Sequence, residues 1–238
     1  MRFIAAFLAM LGAIFATAAI AKKDPKPSPT PTATASPAPP ITPEDTWVLD
    51  LSTGGRVLVQ LRPDKAPNHV ARIKQLTRAG FYNGLTFHRV IEGFMAQGGD
   101  PKGTGEGGST LPDLKAEFND LPHVRGATSM ARADSVDSAN SQFYIMLMPT
   151  LRLDNHYTVF GRVISGMQFV DAINRGEPPA DPSRIVKAFI QADGENAAIV
   201  PLPATAPTPA PTPTPAAPEP VPTPAATPSP APTPQPGN

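Results

Sequence analysis

In residues 87–100, F-H-R-V-I-E-G-F-M-A-Q-G-G-D, an arginine and a glutamine alternate with large apolar residues. Glu92-Gly93 interrupts two short apolar runs, so the stretch reads as strand, turn and strand. Alternation groups Phe87, Arg89 and Ile91 on one side of the first strand, and Met95 and Gln97 on one side of the second. Polar atoms held among such side chains are costly when unpaired. One reading lays the arginine stem on apolar surface with its head in water or on a structural carboxylate. The other sets the guanidinium and the amide there for a ligand. A guanidinium is always charged and carries several donors in one plane. His88 is either a general base or an imidazole packed behind that site.

Other chemistry is weakly marked. Residues 103–108, G-T-G-E-G-G, satisfy G-x-G-x-x-G literally. No long amphipathic helix follows at Leu111-Pro112-Asp113, as a dinucleotide fold requires. His69, His88, His123 and His156 lack the short ligand spacings of a zinc site, so no metal is expected. No G-x-S-x-G elbow is present, and nothing local pairs a serine with a histidine.

The elements that position these residues follow from the hydrophobic period. Strands are expected at 47–51, 56–61, 87–91, 94–97, 127–131, 142–148, 158–164 and 185–191. Between 66 and 79 the period becomes helical, with Val70, Ile73, Leu76 and Thr77 on one face, Pro67 near the start and Gly80 at the end. A second helix fits 166–174, with Phe169, Val170 and Ile173 on its apolar side. Many strands and two helices suggest a closed antiparallel sheet, and composition alone leaves barrel and sandwich both open.

The 33 prolines among 238 residues are concentrated at the two ends. Met1-Arg2, the apolar run to Ile20 and Ala19-Ile20-Ala21 have the parts of a secretory signal peptide, with cleavage expected after Ala21 and an uncleaved anchor as the alternative. This gives a signal at 1–21, a Pro/Thr/Ala linker at 22–45, a globular domain at 46–194 and a proline-rich tail at 195–238. Both flanks bury too little apolar surface to offset the entropy of ordering them. The chain has no cysteine, so no disulfide framework is available. A formal net charge of zero without a basic stripe argues against nucleic acid. After signal cleavage no membrane contact is expected, and a monomer is the default.

Three blocks carry a family resemblance. Residues 87–100 resemble the signature of the cyclophilins, the peptidyl-prolyl cis/trans isomerases, at every diagnostic position. A-T-S-M-A-R-A-D-S-V-D-S-A-N-S-Q-F-Y-I-M-L-M (127–148) and L-D-N-H-Y-T-V-F-G-R-V (153–163) are similar to its bacterial members. The resemblance implies a mainly β fold, a closed eight-stranded antiparallel barrel capped by two helices, with the substrate groove on the outer wall. It implies Arg89 as the catalytic donor and His88 as a support. Phe94, Met95, Tyr144, Leu153 and Tyr157 would form the proline pocket, with Gln97, Ala131, Arg132 and Gln142 along the peptide. A glycine-rich loop beside the groove accounts for 103–108. Two departures stand out: Arg132 replaces an asparagine, and Arg152 replaces a tryptophan that contacts cyclosporin in the best-known eukaryotic members. Neither bears on isomerisation itself.

Such an enzyme needs no cofactor. Rotation of a peptide bond is opposed by about 18–20 kcal/mol of lost resonance, and no bond has to break. The expected substrates are proline-containing segments of exported proteins, in the periplasm. A module that only captures proline segments, or an envelope protein acting through its tails, is the alternative. Retention of both Arg89 and Gln97 argues against the first, and the second leaves the intact groove unexplained.

Overall fold

A computed structural model describes residues 39–202; the expected signal peptide and most of both proline-rich flanks lie outside the described residues. The elements in chain order are β1 (Thr46–Leu51), β2 (Gly55–Leu61), α1 (Pro67–Arg78), β3 (Arg89–Ile91), β4 (Met95–Gly98), β5 (Ala127–Met130), β6 (Phe143–Met146), a 3₁₀ turn (Leu151–Leu153), β7 (Val159–Ser165), α2 (Met167–Asp171) and β8 (Ile185–Ile190). The strands form one antiparallel sheet in the order β3-β4-β6-β5-β7-β2-β1-β8.

The expected closed barrel is not completed by a continuous ladder. β3 and β8 end the sheet, and isolated bridges Thr86–Arg184 and Val90–Gly176 tie the β3 end to the segments leading into β8. Around them the Phe87 N–H donates to the Ser183 carbonyl at 2.9 Å and the Ile185 N–H to that of Leu85 at 2.8 Å. Register shifts at Asp50/Leu51, Leu58/Val59 and Thr128/Ser129 mark bulges, which bend strands and raise their twist.

Alternation along the strands separates two apolar clusters. The larger holds Trp47, Leu49, Val57, Val59, Phe143, Ile145 and Phe160. Trp47 meets Tyr82 and Phe143 edge-on, at 5.2 and 5.0 Å between ring centres. Helix α1 begins with Pro67 and delivers Val70, Ile73 and Leu76 to this core, as its period predicts. Its end is closed by two bonds, Gly80 N–H to the Thr77 carbonyl and Phe81 N–H to that of Leu76. The second cluster, on other strand positions, contains Phe94, Met95, Tyr144 and Leu153.

Several boundaries differ from the sequence reading. Strand β3 begins only at Arg89, and Phe87 belongs to the large core, against Phe143, instead of sharing the face of Arg89 and Ile91. Alternation does not carry through 87–88 because those residues lie outside the β3 ladder. Helix α2 has five residues; beyond it the Asn174 N–H bonds to the Ser183 hydroxyl. Residues 42–45 and 195–202, read as flanking segments, contact the domain. Lys74 on α1 reaches Glu44 and Asp45, Arg78 reaches Glu44 and Asp193, Glu195 pairs with Arg56, and Leu202 packs on the core.

Gly99, just after β4, has φ +87, and a Cβ there would stand 2.5 Å from the Ser141 carbonyl oxygen. The Ser141 hydroxyl donates back to the Gly99 carbonyl at 2.9 Å, so the two segments approach closely where Gln142 follows. Gly99→Ala is therefore expected to cost about 2–5 kcal/mol from backbone strain plus the clash. Urea unfolding measures it; a change within about 0.5 kcal/mol would contradict the close approach.

Candidate active site

The β3–β4 hairpin turns at Gly93, where the Phe94 N–H donates to the Ile91 carbonyl. Its register sets Arg89 opposite Gln97 and Ile91 opposite Met95. Strand β6 continues both rows, with Tyr144 opposite Gln97 and Met146 opposite Met95, and β5 sets Ser129 opposite Tyr144. Directly paired residues project to the same face. One row across four strands thus reads Arg89, Gln97, Tyr144, Ser129, with an apolar row beside it. Residues outside the strands complete the surface: Phe94 from the hairpin, Ala131 after β5, Leu153 from the 3₁₀ turn and the partly buried Tyr157. Tyr157 meets Tyr144 edge-on at 5.9 Å. The structure therefore brings the five expected pocket residues together, in a cluster separate from the main core.

The polar groups at its edge are wired unequally. Gln97 is 2 % exposed; its Nε2 donates to Gln142 Oε1 at 2.9 Å while its own Oε1 is buried without a partner. Gln142 in turn donates to the carbonyls of Gly105 and Gly107. Arg89 donates through Nε to Glu177 Oε2 at 2.7 Å, and its Nη1 is buried and unpaired. One donor and one acceptor on opposed residues thus have no partner within the protein, beside an apolar surface. A buried polar atom left this way costs about 1–3 kcal/mol unless a ligand satisfies it. The Ala131 N–H donates to the Gln142 carbonyl, which fixes that residue along the same edge.

The glycine-rich loop wraps a carboxylate. Lys102, Thr104 and Gly105 donate their N–H groups to Asp100. Burial alone would raise the Asp100 pKa, but these donors hold it below the ordinary range. The amides that would cradle a phosphate are thus engaged, and no helix follows the loop.

Arg132 ties its own turn down. It donates to the carbonyls of His156, Ala133 and Asp134, and its guanidinium lies 4.7 Å from the centre of the Tyr157 ring. Arg152 is exposed on the 3₁₀ turn beside Leu153. His88 is buried with neither ring nitrogen paired, and Gly105 sits against the ring. Its burial among the loop and the hairpin is consistent with a packed supporting imidazole.

Sequence reasoning missed a second set. Asp154 Oδ1 accepts from His123 Nδ1 at 2.8 Å, and His123 Nε2 lies 3.1 Å from both the Tyr144 hydroxyl and the Ser129 hydroxyl. Serine, histidine and aspartate here follow the order of a hydrolase triad. Ser129 and His123 are nevertheless fully buried and share the nitrogen with Tyr144, so the group braces the pocket wall from behind. Glu177 was missed as well. Asp154 is 31 residues from His123 and Glu177 is 88 from Arg89, so spacing gave no signal for them; Ser129 and His123, six residues apart, were a local serine–histidine pair that the sequence reading overlooked.

Three buried imidazoles give the domain a pH signature. Burial lowers the pKa of His69, His88 and His123, against the opposing pull of Glu117 on His69, Asp100 on His88 and Asp154 on His123. Above the unfolded value of about 6.5 both states are neutral and stability is flat. Below it the unfolded chain takes up protons that the folded one refuses, so stability falls with pH. Thermal unfolding is expected to be level from about pH 9 to 7 and to drop from about 6.5 downward. A melting temperature that is constant to pH 5 would contradict the neutral, buried state of these rings.

Comparison with known proteins agrees with this geometry. The family profile described as cyclophilin type peptidyl-prolyl cis-trans isomerase/CLD matches residues 48–190. A probable peptidyl-prolyl cis-trans isomerase of Brucella suis is 49% identical over 167 residues, spanning 63% of this chain and 85% of that protein. Peptidyl-prolyl cis-trans isomerase B of Bacillus subtilis is 44% identical over 129 residues, spanning 53% and 89%. Among solved structures, a cyclophilin of Hirschia baltica superposes with TM-score 0.60 at 29% identity, covering 64% of this chain and 76% of its own. A Cryptosporidium parvum cyclophilin, crystallised in the presence of the dipeptide Ala-Pro, gives 0.57 at 28% identity, covering 61% and 98%. With the family profile spanning most of the described residues and the expected pocket assembled on one face, the chain belongs to the cyclophilin-type peptidyl-prolyl cis-trans isomerases.

Proposed function

We propose that Arg89 is the group that accelerates rotation about X-Pro bonds, and that the clients are exported polypeptides. The observation that carries the first part is the pair of open atoms, Arg89 Nη1 and Gln97 Oε1, beside the cluster of Phe94, Met95, Tyr144 and Leu153. A proline ring is apolar and suits the cluster. In the twisted amide the nitrogen lone pair is no longer shared with the carbonyl and can accept a hydrogen bond. Arg89 Nη1 donates to it, so the interaction is stronger in the transition state than in the ground state. Gln97 Oε1 accepts an N–H from the peptide beside the proline, and the ring stays anchored while the carbonyl side turns. The presence of the dipeptide Ala-Pro with the related Cryptosporidium cyclophilin supports proline peptides as the ligand class.

Arg89→Ala is expected to keep the fold and lower turnover of an X-Pro peptide on the order of 10²–10³, as loss of one preorganised donor does. Exchange spectroscopy of the two isomers reads the rate without a coupled protease. Undiminished exchange with a folded Arg89→Ala protein would remove Arg89 from the mechanism.

Export is supported by the charged start, the apolar run and the Ala-x-Ala site in the first 21 residues. Amino-terminal sequencing of the protein from the periplasmic fraction is expected to begin at Lys22. A chain that begins at Met1 and stays in the cytosol would contradict the exported role while leaving the isomerase intact.

A further inference from the structure

We propose that Glu177 is a positioning residue for the isomerase: its carboxylate holds the Nε edge of Arg89 and thereby fixes the orientation of its guanidinium. This rests on the reading of Arg89 as the donor. The contact is built into the backbone. Val90 and Gly176 exchange N–H to carbonyl bonds of 2.8 and 2.9 Å, and Arg89 and Glu177 are their immediate neighbours. The same bridge therefore sets the arginine and the carboxylate side by side across 88 residues of sequence.

A second pair holds the strap on the hairpin's other flank, with the charges exchanged: Arg175 donates to Glu92 at the turn, and to the Ile173 carbonyl. Residues 175–177 are thus fastened to β3 by backbone in the middle and by an ion pair at each end.

The two partners of the Arg89–Glu177 pair are unequally exposed, 11% for the arginine side chain and 50% for the carboxylate. A pair that is half open to water contributes little to folding. What it supplies is direction. The guanidinium is planar, so an acceptor fixed at Nε leaves the plane few orientations, and its Nη1 keeps no partner within the protein. Small losses of alignment at a reacting group lower the rate steeply. Glu92, the nearest carboxylate in sequence, is engaged by Arg175 and does not compete for Arg89.

The test compares Glu177→Ala and Glu177→Gln in the full chain, with Arg89→Ala in the same assay. Glu177→Ala is expected to lower kcat about tenfold, with KM changed less than about twofold and an unchanged melting temperature, the pattern of an interaction lost in the transition state. Glu177→Gln keeps an acceptor oxygen and is expected to retain most of the rate. The Arg89 Nε–Hε signal in nitrogen-15 spectra is expected to be resolved in wild type and the glutamine variant, and averaged with the other arginines in the alanine variant. A Glu177→Ala kcat within about twofold of wild type overturns the proposal, as does a glutamine variant as slow as the alanine one, or a loss confined to KM. If Arg89→Ala is itself unimpaired, the donor reading fails and this inference with it. If Arg89→Ala is slow while Glu177→Ala is normal, only the positioning role fails.

Discussion

The register of β4 against its two neighbours is the constraint on which the site depends. Arg89 opposite Gln97, and Gln97 opposite Tyr144, set donor, acceptor and pocket wall in one row. A slip of one residue in either ladder would send Gln97 into the main core and Ala96 onto the groove. The register is guarded on both faces. Inside, Ala96 lies opposite Ile145 in the large core; outside, Met95 lies opposite Met146 in the small one. At the far end Gly99 fits against Ser141 only because no side chain intervenes. The packing that stabilises the fold is thus the same packing that aligns the reacting groups.

Around this row the polar groups divide into satisfied and open. Asp100 gathers the glycine-rich loop, Gln142 spans from that loop to Gln97, and Asp154 orients His123 behind Tyr144. These networks immobilise the wall. Arg89 Nη1 and Gln97 Oε1, on one row of the sheet, have no partner within the protein. Two such atoms at about 1–3 kcal/mol each are a sizeable fraction of a domain stability of about 5–15 kcal/mol.

Much of this arrangement is legible in the sequence, for local reasons. Period-two alternation around Glu92-Gly93 locates the hairpin and the shared face of Arg89, Ile91, Met95 and Gln97, because a two-strand unit closes on itself. The 3.6-residue period from Val70 to Leu76 locates the buried face of α1. What escaped depends on distant pairing. Phe87 faces the other way because the ladder starts two residues later than its apolar character suggests. Glu177 meets Arg89 through the Val90–Gly176 bridge and Asp154 meets His123 across 31 residues, so no spacing announces them. Residues 195–202 read as the start of the proline-rich tail, yet Leu202 packs on the core and the Val200 N–H donates to the Arg78 carbonyl at the end of α1. The identity of the proline pocket came from family resemblance; alternation alone supplied its Met95 and the neighbouring Gln97.

The central claim is that the open donor and acceptor on β3 and β4 are the atoms a proline peptide satisfies. A high-resolution structure of the protein with a bound X-Pro peptide tests it most directly. The account predicts a proline ring against Phe94, Met95, Tyr144 and Leu153, a peptide N–H within hydrogen-bond distance of Gln97 Oε1, and Arg89 Nη1 facing the X-Pro amide. A peptide bound elsewhere, or bound with both atoms still unpaired, would contradict it.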